Sequence, residues 1–264
     1  MDTKQNAKII NPDEYRLTNI LQLPALFKQT LFLALVVLVA VLIVSGFYLR
    51  FGPNIVQRLD NNVGENLMKF AEALEQNKNT EDAKRIYEIA TRSRFTGEFN
   101  RTHVFYRLGY LHWEDRDYVK AAEYLKEAVQ SKEFPQISAF EFLVDSLLQI
   151  QKPEEALPFA QQWTEKTRNR EELANAQYYL GKVYGAMNRM AEAEETWSKG
   201  HKVLPGSKSS SELAFLYKKQ GDCKKAVYYA EAVLKAGLLP SREPAIKTLI
   251  EQCKKTQEGK TINP

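Results

Sequence analysis

The feature that most constrains this sequence is a pattern of residue types that returns four times after residue 80. Each copy has a small residue, a second packing residue four positions later, and a small or apolar residue three positions after that. Spacings of four and three place such side chains on one face of an α-helix. The copies are EDAKRIYEIA (81–90), YVKAAEYLKEAV (118–129), MAEAEETWSKG (190–200) and GDCKKAVYYAEAV (221–233). A returning pattern of this kind indicates a fold built by stacking similar helical units.

A second amphipathic helical segment precedes each copy, for example FYRLGYLHW (105–113) and QYYLGKVYG (177–185). This arrangement resembles the tetratricopeptide repeat (TPR) family, whose pattern runs W-x2-L-G-x2-Y, followed by A, F, A and P. Gln177 and Ser210 depart from the pattern where the family places Trp. The unit that resembles the family most closely carries Leu180, Gly181, Tyr184, Ala193, Trp197, Gly200 and Pro205.

The resemblance implies an all-α fold, an α-solenoid of about five TPR-like helix pairs over residues 64–240. One pair cannot bury its apolar face alone, so pairs stack into a superhelix with a concave surface. The end of such a stack needs a cap with a polar outer face, and residues 241–255 are predicted to form a capping helix. Residues 256–264 are predicted to be a disordered tail. The apolar stripe of the cap consists of Ala245, Ile246, Leu249 and Ile250.

Residues 29–49 form an apolar run without a charged side chain. At a rise of ~1.5 Å per residue, this run would cover about 31 Å, the thickness of the hydrocarbon core of a bilayer. It therefore predicts a single N-terminal transmembrane helix. This helix would follow a tail (1–28) and precede a linker (50–63). The tail includes a stretch apolar enough to lie along a membrane surface. A cleaved signal peptide is the main alternative, but its apolar region would be shorter and end at a small-x-small site.

The orientation of this helix would follow from the flanking basic residues. Lys4, Lys8, Arg16 and Lys28 precede the apolar run, and Arg50, Arg58 and Lys69 follow it. This small excess favours a cytoplasmic tail, and the predicted localisation is the bacterial inner membrane with the repeats in the periplasm. The layout resembles small single-pass TPR accessory proteins of the bacterial export channel. The alternative keeps the fold but turns the repeats to the cytosol, as a docking receptor on a membrane.

The predicted function is that of a protein-interaction scaffold or an accessory subunit of a membrane complex. Its partners would be other proteins, with lipid contacted through residues 29–49. In the TPR family the concave surface is lined by the first helix of each pair. Carried onto this sequence, the candidate partner-binding residues are Tyr106, Tyr110, Trp113, Tyr178, Lys182, Phe215 and Lys219. The alternative for the aromatic residues among them is ordinary contact between repeats.

No motif in the sequence indicates catalysis or a cofactor. The three histidines lack a spacing typical of metal ligands, and PGSKSS (205–210) lacks the frame of a phosphate-binding loop. The net charge of +4 is too small to indicate nucleic acid, although residues 201–264 carry twelve Lys and Arg against six Asp and Glu. We therefore predict no enzyme activity, cofactor, nucleic-acid partner or small-molecule substrate. An enzyme with an unrecognised site is the remaining alternative.

The two cysteines of the chain are Cys223 and Cys253. In the repeat frame, Cys223 begins the second helix of the fifth unit, and Cys253 lies near the end of the capping helix. Consecutive helices of such a stack run antiparallel, so the frame brings the two residues together. A disulfide between them is one expectation, and two partly buried free thiols are the other.

Overall fold

The computed structural model describes residues 29–30, 32–46, 62–131 and 137–262. The chain forms two compact units, Met1–Asp60 and Asn61–Pro264. The predicted tail (1–28) and most of the predicted linker (50–63) lie outside the described residues.

The prediction of a membrane-spanning segment is contradicted. Among the described residues, none of the helices combines the length and the apolar character needed to cross a bilayer. The predicted localisation, a single-pass inner-membrane protein with periplasmic repeats, is therefore wrong on this finding, and lipid contact through 29–49 has no support.

The second unit is all-α in its described residues, as the resemblance predicts. Eleven α-helices follow one another, with one 3-10 turn, Pro240–Arg242, before the last helix. The helices are α1 (Val63–Gln76), α2 (Thr80–Thr91), α3 (Glu98–Glu114), α4 (Tyr118–Gln130), α5 (Ser138–Gln149), α6 (Pro153–Lys166), α7 (Arg170–Ala186), α8 (Met190–Val203), α9 (Lys208–Lys219), α10 (Cys223–Ala236) and α11 (Glu243–Ile262). The last helix is longer than the predicted cap and continues into the stretch predicted to be disordered.

The helices α1–α10 form five pairs, and the two helices of each pair are connected by a short turn of the same geometry. The amide after each left-handed residue donates to a carbonyl five residues earlier, as Asp117 does to His112 over 2.9 Å. This is the bond that closes a Schellman-type helix end. Each turn has one residue with positive φ, and these residues are Lys78, Arg116, Gln151, Asn188 and Gly221. The recurrence of one turn at five equivalent positions shows five repeats of a helical hairpin.

Small residues let the two helices of a pair approach closely. A Cβ atom at Gly109 would lie 2.6 Å from the Cγ of Leu125, and one at Gly181 would overlap the indole of Trp197. Trp197 is fixed there because its Nε1 donates to the backbone oxygen of Tyr178 over 3.1 Å. The small residues of the TPR-like pattern therefore act as predicted, since they make room for the large residue of the facing helix.

The pairs stack so that their first helices lie side by side. Contacts join α1 to α3, α3 to α5, α5 to α7, α7 to α9, and α9 to α11. In the described residues, the second helices make no corresponding contacts with one another. Because the spacing is closer on the side of the first helices, this side is the inside of the curve. We call it the inner face.

Polar bonds between neighbouring repeats hold the stack in register. Arg107 donates to both carboxylate oxygens of Glu75 at 2.9 Å. Within the first pair, Tyr87 also donates to Glu75, over 3.1 Å. Burial raises the pKa of the Tyr87 hydroxyl most, and the neighbouring carboxylate of Glu75 raises it further, so the hydroxyl remains a donor. Charge-assisted bonds of this kind constrain direction as well as distance.

The stack ends on α11, which covers the apolar side of α9 and α10. Ile246, Leu249 and Cys253 are buried in one cluster with residues of those helices. At the leading end of the cap, Arg242 donates to Ser211 Oγ (2.9 Å) and to Glu212 (2.8 Å) on α9. The cap is thereby joined to the last repeat by apolar packing and by polar bonds.

Candidate protein-binding face

The centre of the inner face carries four aromatic side chains from two repeats. Tyr106, Tyr110 and Trp113 lie on α3, and Phe142 comes from α5. The ring of Phe142 lies 4.9 Å from Tyr110 and 4.8 Å from Trp113, between centroids, and both pairs are inclined. We call these four residues the aromatic cluster. Inclined pairs at such distances are favourable contacts, so the cluster is preformed.

The members of the cluster differ in exposure. Tyr106 is only 6% exposed and belongs to the core. Tyr110, Trp113 and Phe142 are half-buried. The position of Tyr106 therefore agrees with the alternative interpretation, in which the aromatic residues make ordinary contacts between repeats. The other three present ring surface on the inner face that the fold does not cover completely.

Hydrogen bonds fix the orientation of the exposed rings. Trp113 Nε1 donates to Asp145 Oδ2 over 3.0 Å, from one repeat to the next. The Tyr110 hydroxyl donates to Glu114 Oε1 over 2.6 Å. This bond, followed by partial burial, raises the pKa of Tyr110 to about 12. Rings held in this way lose little conformational entropy when a ligand packs on them.

A row of ion pairs follows the aromatic cluster along the inner face. The pairs are Lys182–Asp145 (3.9 Å), Lys208–Glu141 (3.7 Å) and Arg242–Glu212 (2.8 Å). Each of these basic groups has a carboxylate within 4 Å, so this row offers little uncompensated charge to a ligand.

The ion-pair row is built around two tyrosines of α7. The ammonium groups of Lys182 and Lys208 lie 5.3 and 5.6 Å from the ring centre of Tyr179. Arg242 donates to the hydroxyl of Tyr178 over 3.4 Å. Tyr178 is 6% exposed, and burial is the main cause of its raised pKa. Cations at these distances from an aromatic ring are attracted by its electron-rich face.

The predicted binding residues do not all lie in one site. Tyr110 and Trp113 meet in the aromatic cluster, and Lys182 joins them through Asp145. Tyr106 and Tyr178 are largely buried. Phe215 and Lys219 are exposed on α9, and no contact given by the structure joins either of them to the cluster.

Sequence reasoning missed Lys208 and Arg242 as parts of this face. Lys208 lies within PGSKSS (205–210), where it begins α9 and donates to Asn175 Oδ1 over 3.0 Å. The sequence does hold a signal for Lys208, because it follows Asn175 by 33 positions, about one repeat, and Arg107 follows Glu75 by 32. Arg242 lies in the 3-10 turn before the cap, where the repeat pattern makes no prediction.

One pair of side chains resembles a nucleophile beside a base. Ser210 Oγ lies 2.8 Å from His201 Nδ1 and also accepts from the backbone amide of Gly206 over 2.9 Å. Burial lowers the pKa of His201. Ser210 is fully buried, so a substrate could not reach its oxygen. The pair instead fixes the loop between α8 and α9. Within the described part of the chain, no group of acidic, His or Cys side chains could hold a metal ion.

Comparison with known proteins identifies the fold. No protein-family model and no curated protein matches the sequence. Among solved structures, MamA from Desulfovibrio magneticus is 19% identical, with 67% of this chain and 96% of that chain covered and a TM-score of 0.55. YrrB, described as a TPR protein with an unusual peptide-binding site, is 18% identical, with 78% and 97% covered and a TM-score of 0.56.

A third structure, a tetratricopeptide repeat protein from Parabacteroides merdae, is 14% identical, with 72% of each chain covered and a TM-score of 0.57. Structural similarity at such low sequence identity identifies the fold of the chain but not its binding partner. The chain has the all-α, solenoid-like fold of tetratricopeptide repeat proteins.

Proposed function

We propose that this chain is a protein-interaction scaffold that binds an apolar-rich segment of a partner protein on its inner face. The observation that carries the proposal is the aromatic cluster, in which three rings are fixed in place but remain only half-buried. Tyr and Trp are enriched among residues that dominate binding energy, because they bring a large apolar area with few rotatable bonds.

The charges of the inner face favour an apolar anchor over a charged one. The basic groups of the ion-pair row are compensated by carboxylates. Between the first two repeats, Arg107 is held by three hydrogen bonds to Glu75. A ligand that needed free cations would have to break these bonds first, whereas an apolar side chain can pack on Trp113 and Phe142 directly.

The proposal agrees with what is known of the fold. YrrB is described as having a peptide-binding site, and a stack of helical hairpins presents a long inner face to a partner. We infer a segment of a protein as the ligand, and not a small metabolite, because the aromatic cluster is part of an open surface that spans two repeats.

A peptide library tests this proposal. Random peptides displayed on phage would be selected on the full chain, and the dissociation constants of synthetic copies would be measured. We expect Trp113→Ala and Phe142→Ala each to weaken binding by about tenfold or more, since each removes a ring from the centre of the contact. The matched control is Tyr228→Ala, because Tyr228 is 61% exposed on a second helix, away from the inner face.

Circular dichroism would establish that all three variants keep their helices. The proposal fails if the selected peptides bind Trp113→Ala and Phe142→Ala as tightly as the unmodified chain, or if Tyr228→Ala weakens binding equally.

A further inference from the structure

The only two cysteines of the chain meet where the cap packs on the last repeat. Cys223 is the first residue of α10, and Cys253 lies in α11, thirty positions later in the sequence. Cys253 belongs to the apolar cluster under the cap, and Cys223 packs against that cluster. Cys253 is 1% exposed, whereas Cys223 is only partly buried. One thiol is thus accessible from solvent, and its neighbour is sequestered.

The two thiols lie at the contact between α10 and α11. Burial is the main cause that raises the pKa of Cys253 to about 11, and a hydrogen bond with Cys223 raises it further. Both cysteines are free in the structure. Because Cys223 packs against the same apolar cluster that contains Cys253, the two side chains are neighbours under the cap before any oxidation takes place.

We propose that Cys223 and Cys253 form a reversible modification site, a dithiol that closes to a disulfide and locks the cap onto the last repeat. The oxidant belongs to the class of low-molecular-weight disulfides. The thiolate of Cys223, the accessible partner, attacks one sulfur of the small disulfide and releases one thiol. Cys253 then attacks the mixed disulfide at Cys223 and releases the second thiol. Two protein thiols are oxidised, and one small disulfide is reduced to two thiols.

The lock has a consequence for the inner face. The cap begins directly after Arg242, whose guanidinium contacts Glu212 and the hydroxyl of Tyr178. A disulfide further along α11 reduces the freedom of the helix that carries this residue. Oxidation therefore stabilises the packing of α11 on the last repeat, together with the ion pair between Arg242 and Glu212.

The test equilibrates the full chain with a buffer of oxidised and reduced glutathione and then traps free thiols by alkylation. We expect a monomer that has lost the mass of two hydrogen atoms, takes up no alkylating agent and is restored by dithiothreitol. The melting temperature should rise by roughly 5–10 °C. Amide hydrogen exchange within residues 243–256 should slow by about tenfold or more, because the bridge opposes local opening of the cap.

Two single variants make the result decisive. In the Cys253→Ser variant, the reaction should end with a glutathione adduct on Cys223, and the melting temperature should not rise. Cys223→Ser should resist modification, because Cys253 is buried. The proposal is overturned if the unmodified chain keeps two alkylatable thiols, carries a stable glutathione adduct on Cys223 beside a free Cys253, or forms dimers linked between chains.

Discussion

At the scale of single residues, Gly181 lies where α7 and α8 approach so closely that a methyl group would overlap the ring of Trp197. We expect Gly181→Ala to lower the free energy of unfolding by about 1–3 kcal/mol, because the gain in helix propensity is smaller than the cost of overpacking. Urea denaturation of the full chain, followed by circular dichroism, measures the change.

Gly185 provides the matched control on the same helix. A Cβ atom there would meet only Trp197, at 3.9 Å, which is an ordinary contact. Gly185→Ala should therefore stabilise the protein by about 0.5–1 kcal/mol, through helix propensity alone. If both substitutions stabilise it, α7 and α8 are not packed as closely as described.

At the scale of elements, the turns within the helix pairs combine one geometry with different residue types. Arg116 adopts a φ of 63°, in the left-handed region where side chains other than glycine are disfavoured. Gly221 occupies the equivalent position of the fifth pair, with a φ of 80°. We expect Arg116→Gly to raise the free energy of unfolding by about 0.5–1 kcal/mol, because strain in the turn is removed.

The reverse substitution tests the same cause. Gly221→Arg should lower the free energy of unfolding by about 1 kcal/mol, and since a Cβ atom at Gly221 would meet nothing within 4 Å, no clash contributes. Chemical denaturation of both variants gives the two values. Changes of the same sign would show that backbone conformation does not control these turns.

The sequence allowed the helical faces to be predicted, but not the contacts between repeats. Small residues such as Gly181 were identified correctly because their spacing reports the face of a helix that another helix approaches. The spacing of Tyr106 and Tyr110 is just as regular, yet one ring is buried and the other half-exposed. Which of these two rings a neighbouring repeat covers depends on the twist of the stack. The spacing of residues within one repeat does not determine this twist.

At the scale of the whole molecule, the predicted membrane span was the principal error. The composition of residues 29–49 is typical of a transmembrane helix, but none of the helices in the described residues is long and apolar enough to cross a bilayer. Lys208 and Arg242 were missed for a different reason. Each makes its contacts with residues about thirty positions earlier or more, so their roles appear only after the repeats have been stacked.

Tryptophan fluorescence can show whether a partner segment binds the inner face at the aromatic cluster. The chain has three tryptophans. Trp163 is 1% exposed and Trp197 6% exposed, whereas Trp113 is the half-buried one in the cluster. Acrylamide quenching of the free protein should therefore report mainly on Trp113.

A library-selected peptide without tryptophan, added to saturation, should protect this fluorescence. We expect the quenchable fraction to fall to nearly zero, because the ligand covers the ring that is accessible in the free chain. A quenchable fraction that stays the same while the peptide is bound would contradict the account, because binding would then take place away from the aromatic cluster.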